Sequence, residues 1–357
     1  MTSDKKDKNK FISYLKYAAP FILTGLLLYF AFKDVDVAQS LSLISQASIL
    51  WLVIFIVTFF ISHYLRALRW KVMIRSVKED TSLLNLFGAV MIGYGVNCVV
   101  PRLGEVYRGL FLGRWENLSR TSMLGTIIIE RFIDIFVLIL SCVVSVFIYS
   151  GDLYVDVPWL KETLIIGFGL LFIVLLLLVF LVRKKEIFLK LTGMIFGKIS
   201  TKVAEKISYI LEMLTEGFSS IRGFKNYSFT IILSVVIMLV YALNAYFGFY
   251  ILGMDKMQNV TFAMAWVLMT IGAFGVVIPT PGGTGSYHII AISVLTGLYA
   301  FNIEISAAYA ILTQFISYVS FIASALFFIY FINKRRSVKG ASRENFFSVF
   351  KMNTDMK

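Results

Sequence analysis

Arg102, Glu105 and Arg108 follow a proline at steps of three, inside the apolar stretch Gly93-Tyr-Gly-Val-Asn-Cys-Val-Val-Pro-Arg-Leu-Gly-Glu-Val-Tyr-Arg108. A charged side chain at bilayer depth costs at least ~2.5–3.5 kcal/mol on insertion scales, so charge placed there belongs by default to a substrate path. Pro101 lacks an amide hydrogen and suits the first turn of a helix, so a limb over 101–113 is expected to start there, with Asn97 or a nearby carbonyl closing the break. Its N-terminus would point into the membrane, where free amides, the helix dipole and the Arg102 guanidinium together suit a phosphate. Steps of three also let Arg102, Glu105 and Arg108 touch along one helix face, so the competing reading is an ion-pair ladder that pins the segment.

Two further groups bear chemistry. Glu130, Arg131 and Asp134 stand roughly 14–20 Å into an apolar span that begins near Thr121, at the rise of an α-helix. The spacings i,i+4 and i,i+3 put them on one side of that helix, and Arg102 and Arg108 are candidate partners for the carboxylates. The six ionisable groups would sum to zero, and a structural network joining the span to the 101–113 limb is the competing reading. The second break, Pro279-Thr-Pro281-Gly282-Gly283-Thr-Gly285, permits a tight turn, after which Ser286 or Thr284 can cap the returning helix. Tyr287 and His288 follow at once and can hydrogen-bond a headgroup, although a lone histidine is more often a satisfied structural residue.

The elements that must hold these groups are membrane helices. The chain has 357 residues, 59% of them hydrophobic and 15% charged; its mean hydropathy is +0.82. Apolar runs are continuous rather than alternating, which excludes an ordinary soluble domain and a β-barrel. The net charge of +13 lies in loops beside spans, which fits the positive-inside rule and contact with anionic lipid, not nucleic acid. Cys98 and Cys142 form no disulfide framework, and His63 and His288 are too few for a metal motif. No cofactor is expected.

Apolar runs long enough to cross are Phe11–Phe32, Ala47–Tyr64, Thr121–Tyr149, Thr163–Val182, Asn226–Leu252 and Ile305–Ile332. Between them lie two interrupted pairs, Leu83–Val100 with Arg102–Gly113 and Val260–Ile278 with Ser286–Ala300. Lys5, Lys6, Lys8, Lys10 and Lys16 place the N-terminus in the cytoplasm, and Arg66, Arg69, Lys71, Arg75 and Lys78 return the chain there after two crossings. Arg114, Arg120, the run Arg183–Lys185 and Lys334–Arg336 belong to the same side, whereas the acidic loop Gly151–Glu162 suits the outside. This holds only if each interrupted pair enters and leaves on one side. Arg102–Gly113, at ~1.5 Å per residue, is also too short to span ~30 Å, which favours a re-entrant first hairpin.

The fold class read from this is an all-α polytopic membrane protein, with about six spanning helices and two broken or re-entrant hairpins, about eight hydrophobic segments, arranged as an inverted repeat. Its parts are a cytoplasmic tail 1–10, a single transmembrane domain 11–335 with halves 11–149 and 163–332 and a basic cytoplasmic loop 183–225, and a cytoplasmic tail 336–357. In the loop, Ile199, Val203, Ile207, Ile210, Leu214, Phe218 and Ile221 recur at helical steps with lysines interleaved. This pattern fits a helix lying on the membrane surface or on the protein's own cytoplasmic face.

At Asn97, Pro101-Arg102-Leu-Gly104-Glu105 with Arg108, Glu130-Arg131 with Asp134, and Pro279-Thr-Pro281-Gly-Gly-Thr-Gly285, the chain resembles the lysylphosphatidylglycerol synthase transmembrane-region family of flippase-like membrane proteins. The likeness covers about 11–335. It implies an integral protein of a bacterial-type inner or plasma membrane that moves a lipid, or a lipid-linked intermediate, between leaflets. Members that make aminoacylated phosphatidylglycerol carry an added aminoacyltransferase domain, for which this chain has no room, so synthesis is not expected. Many members have a glutamate soon after the glycine-rich break and an arginine in the last span. Here those places hold His288 and Thr313-Gln314.

The expected activity is therefore movement of a phospholipid or polyprenyl-phosphate-linked lipid, without catalysis. The lipid partner would offer an anionic headgroup or lipid phosphate. The substrate-binding candidates are Asn97, Pro101, Arg102, Glu105, Arg108, Glu130, Arg131, Asp134, Pro281, Gly282, Gly283, Gly285 and His288. The alternatives are a small-solute or ion transporter, and an enzyme using the intramembrane carboxylates as general bases on a lipid phosphate. The oligomeric state stays open, a homodimer included.

Overall fold

The computed structural model describes residues 18–183, 209, 213, 223–338, 340 and 342–350, and every regular element among them is helical. In chain order these are α1 (Ala18–Phe32), α2 (Val37–Ser45), α3 (Ile49–Ile74), α4 (Leu83–Val99), α5 (Gly104–Glu116), α6 (Arg120–Ile148), α7 (Leu153–Asp156), α8 (Trp159–Arg183), α9 (Phe224–Ile251), α10 (Phe262–Val277), α11 (Ser286–Gly297) and α12 (Ile303–Val338). Short 3-10 turns lie at Met254–Lys256, Pro281–Gly283 and Ser348–Phe350. Helices suit such a chain because hydrocarbon offers no water to backbone amides, which must be satisfied within the segment. α3, α6, α9 and α12 are long and apolar enough to cross a membrane, and α1, α4 and α10 are shorter apolar helices.

The helix breaks fall where prolines remove amide donors, at Pro101 and at Pro279 and Pro281. The order helix, helix, broken pair, helix occurs twice, as α1, α3, α4–α5, α6 and as α8, α9, α10–α11, α12, with the short α2 and α7 interposed. α7 occupies part of the expected loop Gly151–Glu162 and is capped by Asp152, whose carboxylate accepts from the amides of Tyr154 and Val155.

Two boundaries correct the sequence reading. The second span runs on past Tyr64 to Ile74, because Ala67, Trp70, Met73 and Ile74, all fully buried, continue the helical spacing. Arg66, Arg69 and Lys71 are therefore helical residues, and the first two are buried rather than part of a cytoplasmic loop. The last span likewise reaches Val338, so Lys334, Arg335 and Arg336 belong to a helix and not to a loop after it. The tail 1–10, the surface-helix positions Ile199–Ile221 and most of the basic loop lie outside the described residues.

The chain forms two compact units in its described residues, each assembled from separate stretches. One takes in the described residues up to Phe59, Tyr94–Gly104 and Tyr241–Ala323; the other takes in Phe60–Gly93, the described residues between Glu105 and Val240, and those from Ser324 onward. In the first, Phe55, Ile251, Leu312 and Ile316 are buried together, with Trp51 and Ile56 against them. The limbs α10 and α11 approach closely there, because a Cβ on Gly275 would lie 2.9 Å from the Tyr287 backbone. Small residues at such crossings are how helices pack when lipid removes the hydrophobic drive between them. In the second unit Trp70, Phe111, Leu112 and Met123 are fully buried, and Gly109 brings α5 against Ile127 of α6.

Candidate functional site

The second unit holds a network of full charges on α3, α5 and α6. Glu130 has no exposed side-chain surface, and its two oxygens face three guanidiniums: Oε1 accepts from Arg66 Nη2 at 2.7 Å and Arg69 Nη2 at 3.0 Å, and Oε2 from Arg108 Nη2 at 2.6 Å. Asp134, one turn further along α6, accepts from Arg66 Nη2 at 2.8 Å and from Arg69. Arg69 Nη1 also donates to Ser234 Oγ at 2.9 Å, and the Arg108 guanidinium lies 4.9 Å over the Trp70 ring. The indole of Trp70 is itself fixed by a 3.0 Å bond to Thr126. Charge-assisted bonds of these lengths are the strong class, and several are needed because the desolvation of each ion costs several kcal/mol.

The network is sealed on one side and open on the other. Arg131 keeps 37% of its side-chain surface exposed and Glu105 keeps 30%. Arg131 Nη2 lies 3.1 Å from Asp134 and 3.5 Å from Glu130, whereas its contact to Glu105 is 4.0 Å, the longest of the set. Among the described residues, four guanidiniums meet three carboxylates, which leaves one positive charge in excess. The neutral sum expected from sequence omitted Arg66 and Arg69 and included Arg102.

Arg102 lies in the first unit. α5 begins at Gly104, not at Pro101, and the Gly104 amide donates to Asn97 Oδ1 at 2.7 Å. Asn97 thus closes the break as expected, while Pro101 and Arg102 stand in the turn ahead of the helix. Arg102 takes a left-handed backbone, φ 64°, and its exposed side chain donates from Nη2 to the carbonyl of Val277, 3.1 Å away at the end of α10. It is not in the first turn of an inward helix, so the dipole argument for a phosphate there does not apply. That first turn carries Glu105 instead, a negative charge already matched to the helix end.

The second break is held by hydrogen bonds to backbone. Gly282, Gly283 and Gly285 have φ of 55°, 76° and 85°, and Gly285 sits so close to α1 that a Cβ would come 2.8 Å from Leu27 Cβ. Gln314 Nε2 donates to the Gly282 carbonyl at 2.7 Å, and Tyr318 Oη lies 2.5 Å from the Pro281 carbonyl, 3.1 Å from that of Cys98 and 2.9 Å from Thr284 Oγ1. Neither Ser286 nor Thr284 caps α11. Gly285 is its N-cap, while the Ser286 hydroxyl lies 2.6 Å from the Gly275 carbonyl, tying the two limbs. His288 is buried, with Nδ1 accepting the Gly285 amide at 3.3 Å and the ring edge-on to Phe32.

Glu105, Arg108, Glu130, Arg131 and Asp134 are therefore brought together, with Arg66 and Arg69 as unforeseen members. Asn97, Pro101, Arg102, Pro281, Gly282, Gly283, Gly285 and His288 belong to the other unit. Tyr318 was unforeseen there; its only sequence signal is the four-residue step from Gln314 within an apolar span.

The lysylphosphatidylglycerol synthase TM region model matches residues 17–325. Similar proteins include a UPF0104 membrane protein of Methanocaldococcus jannaschii, 27% identical over 74% of this chain and 79% of that one. A UPF0104 membrane protein of Methanothermobacter thermautotrophicus is 25% identical over 76% and 82%, and one of Pyrococcus horikoshii is 23% identical over 78% and 84%. No solved structure matches. With its membrane-length helices and a family match across most of its length, the chain is an integral membrane protein of the lysylphosphatidylglycerol synthase TM region family.

Proposed function

We propose that the protein carries a phosphate-bearing lipid from one leaflet to the other. The observation that supports this most is the open side of the charged network. There Arg131, partly exposed and held in place by Asp134, lies 4.0 Å from the Glu105 carboxylate. A lipid phosphate can take the place of that carboxylate and engage the guanidinium through two parallel hydrogen bonds. The sealed residues behind it orient Arg131 through Glu130 and Asp134.

In this reading α1 and α8 join the four long helices as spans, and each broken pair is a hairpin that enters and leaves on one side. The halves 11–149 and 163–332 are inverted relative to each other, a recurrent transporter design. Both termini and the loop 183–225 face the cytoplasm. Lys71, Arg75 and Lys78 still support that orientation after Arg66 and Arg69 are assigned to the network.

The test is purified protein in liposomes containing a trace of fluorescent short-chain phosphatidylglycerol or phosphatidylcholine. Dithionite quenching should exceed half of the label only in protein-containing vesicles, and faster for the anionic lipid. Quenching that stops at the outer leaflet for both lipids would contradict lipid movement and turn attention to solute uptake.

A further inference from the structure

We infer that Tyr318 and Arg102 form a latch joining the breaks of the two hairpins, one that is closed in this structure and opens during the transport cycle. The inference rests on the transport reading, but its residues all lie within the first unit, apart from the charged network. Cys98 is in the last turn of α4 and Val277 ends α10, so their carbonyls are among those that a helix end leaves without an internal donor. In each case the donor comes from another element. The Tyr318 hydroxyl of α12 serves Cys98 and Pro281, and the Arg102 guanidinium, from the break of the first hairpin, serves Val277. Its positive charge also faces the negative end of the α10 dipole.

Three features mark this as a device that opens rather than a fixed strut. The Tyr318 hydroxyl has one proton for two carbonyl acceptors, so donating to the Pro281 carbonyl leaves that of Cys98 without its donor. Arg102 pays for its contact with a left-handed backbone, which release of the turn would relax. Arg102, Val99 and Val277 are already exposed, so the Arg102 contact is not buried in a core. When the latch opens, the freed carbonyls need water or a ligand, and the freed guanidinium is available to an anionic headgroup.

The chain contains its own reporter. Cys98 is buried at the latch, and Cys142 is the other cysteine. In a Cys142→Ala background, labelling of Cys98 by membrane-permeant N-ethylmaleimide in liposomes reads latch opening without any substrate. Tyr318→Phe and Arg102→Gln should each raise the labelling rate about tenfold, the scale of one or two lost hydrogen bonds, with the thermal unfolding midpoint lowered by no more than a few degrees. An unchanged labelling rate in both variants would overturn the latch. So would a rise matched by equal exposure of Cys142 in a Cys98→Ala background, which would report general loosening. Faster Cys98 labelling alongside absent lipid movement in the parent protein would retain the latch and remove the transport reading.

Discussion

The charged network and the latch bind helices by opposite means. In the network, Glu130 and Asp134 meet Arg66, Arg69 and Arg108 with almost no exposed surface. In the latch, neutral carbonyls and hydroxyls do most of the joining, and the single charge, Arg102, is exposed. Lipid tails are as apolar as leucine, so neither region gains much from hydrophobic burial, and polar contacts decide where helices stay together. A full charge stripped of its partner leaves a large penalty, whereas a neutral hydrogen bond is worth only about 1 kcal/mol net. The network therefore suits a fixed joint, and the proposed latch a joint that opens.

The largest effect should come from Glu130→Gln, which leaves three guanidiniums short of a charge and should cost about 3–5 kcal/mol. Most of the monodisperse protein should disappear from detergent extracts on size-exclusion chromatography, and Arg108→Met in the same chain should restore part of it. A yield equal to the parent would remove the contrast between the two regions.

Asp134→Asn comes next. Its carboxylate keeps 15% of its surface exposed and shares Arg66 and Arg69 with Glu130, so the loss should be smaller. Because Arg131 pairs with it at 3.1 Å, Asp134→Asn with Arg131→Gln should be less damaging than the sum of the single changes, by about 1 kcal/mol in a double-mutant cycle of thermal stability. Strict additivity would separate the two residues.

The contrast also explains what the sequence could and could not disclose. Breaks were legible because Pro101, Pro279 and Pro281 act locally, and Glu130, Arg131 and Asp134 were legible because charge deep in an apolar run is conspicuous. Arg66 and Arg69 were not, since next to Lys71, Arg75 and Lys78 they look like a basic loop. Only partners more than sixty residues away, Glu130 and Asp134, show them to be buried. The start of α5 was misplaced for a similar reason: Asn97 reaches over the turn to Gly104, and Arg102 adopts a backbone that its residue type does not announce.

Within the latch, Gly282→Ala places a Cβ 2.5 Å from the Tyr318 ring at a positive φ, and should cost about 1–3 kcal/mol. Thermal unfolding should show it, and Tyr318→Leu in the same chain should recover part. Recovery absent, the ring contact is not the cause. The smallest effect on stability belongs to Arg102→Gly, where relief of about 1–2 kcal/mol of backbone strain offsets the lost bond to Val277. A midpoint within a few degrees of the parent is expected, and a large drop would mean that Arg102 is structural.

The central claim, that Arg131 receives a lipid phosphate in place of Glu105, is tested most directly by initial translocation rates of fluorescent phosphatidylglycerol in liposomes for Glu105→Gln, Arg131→Lys and Arg131→Gln, each verified as folded. Glu105→Gln should keep or raise the rate, because it removes the carboxylate that competes with the phosphate for that side of the guanidinium. Arg131→Lys should retain part of it through charge alone, and Arg131→Gln almost none. Equal losses in Glu105→Gln and Arg131→Gln, with recovery in the double variant, would show a structural ion pair and contradict the account.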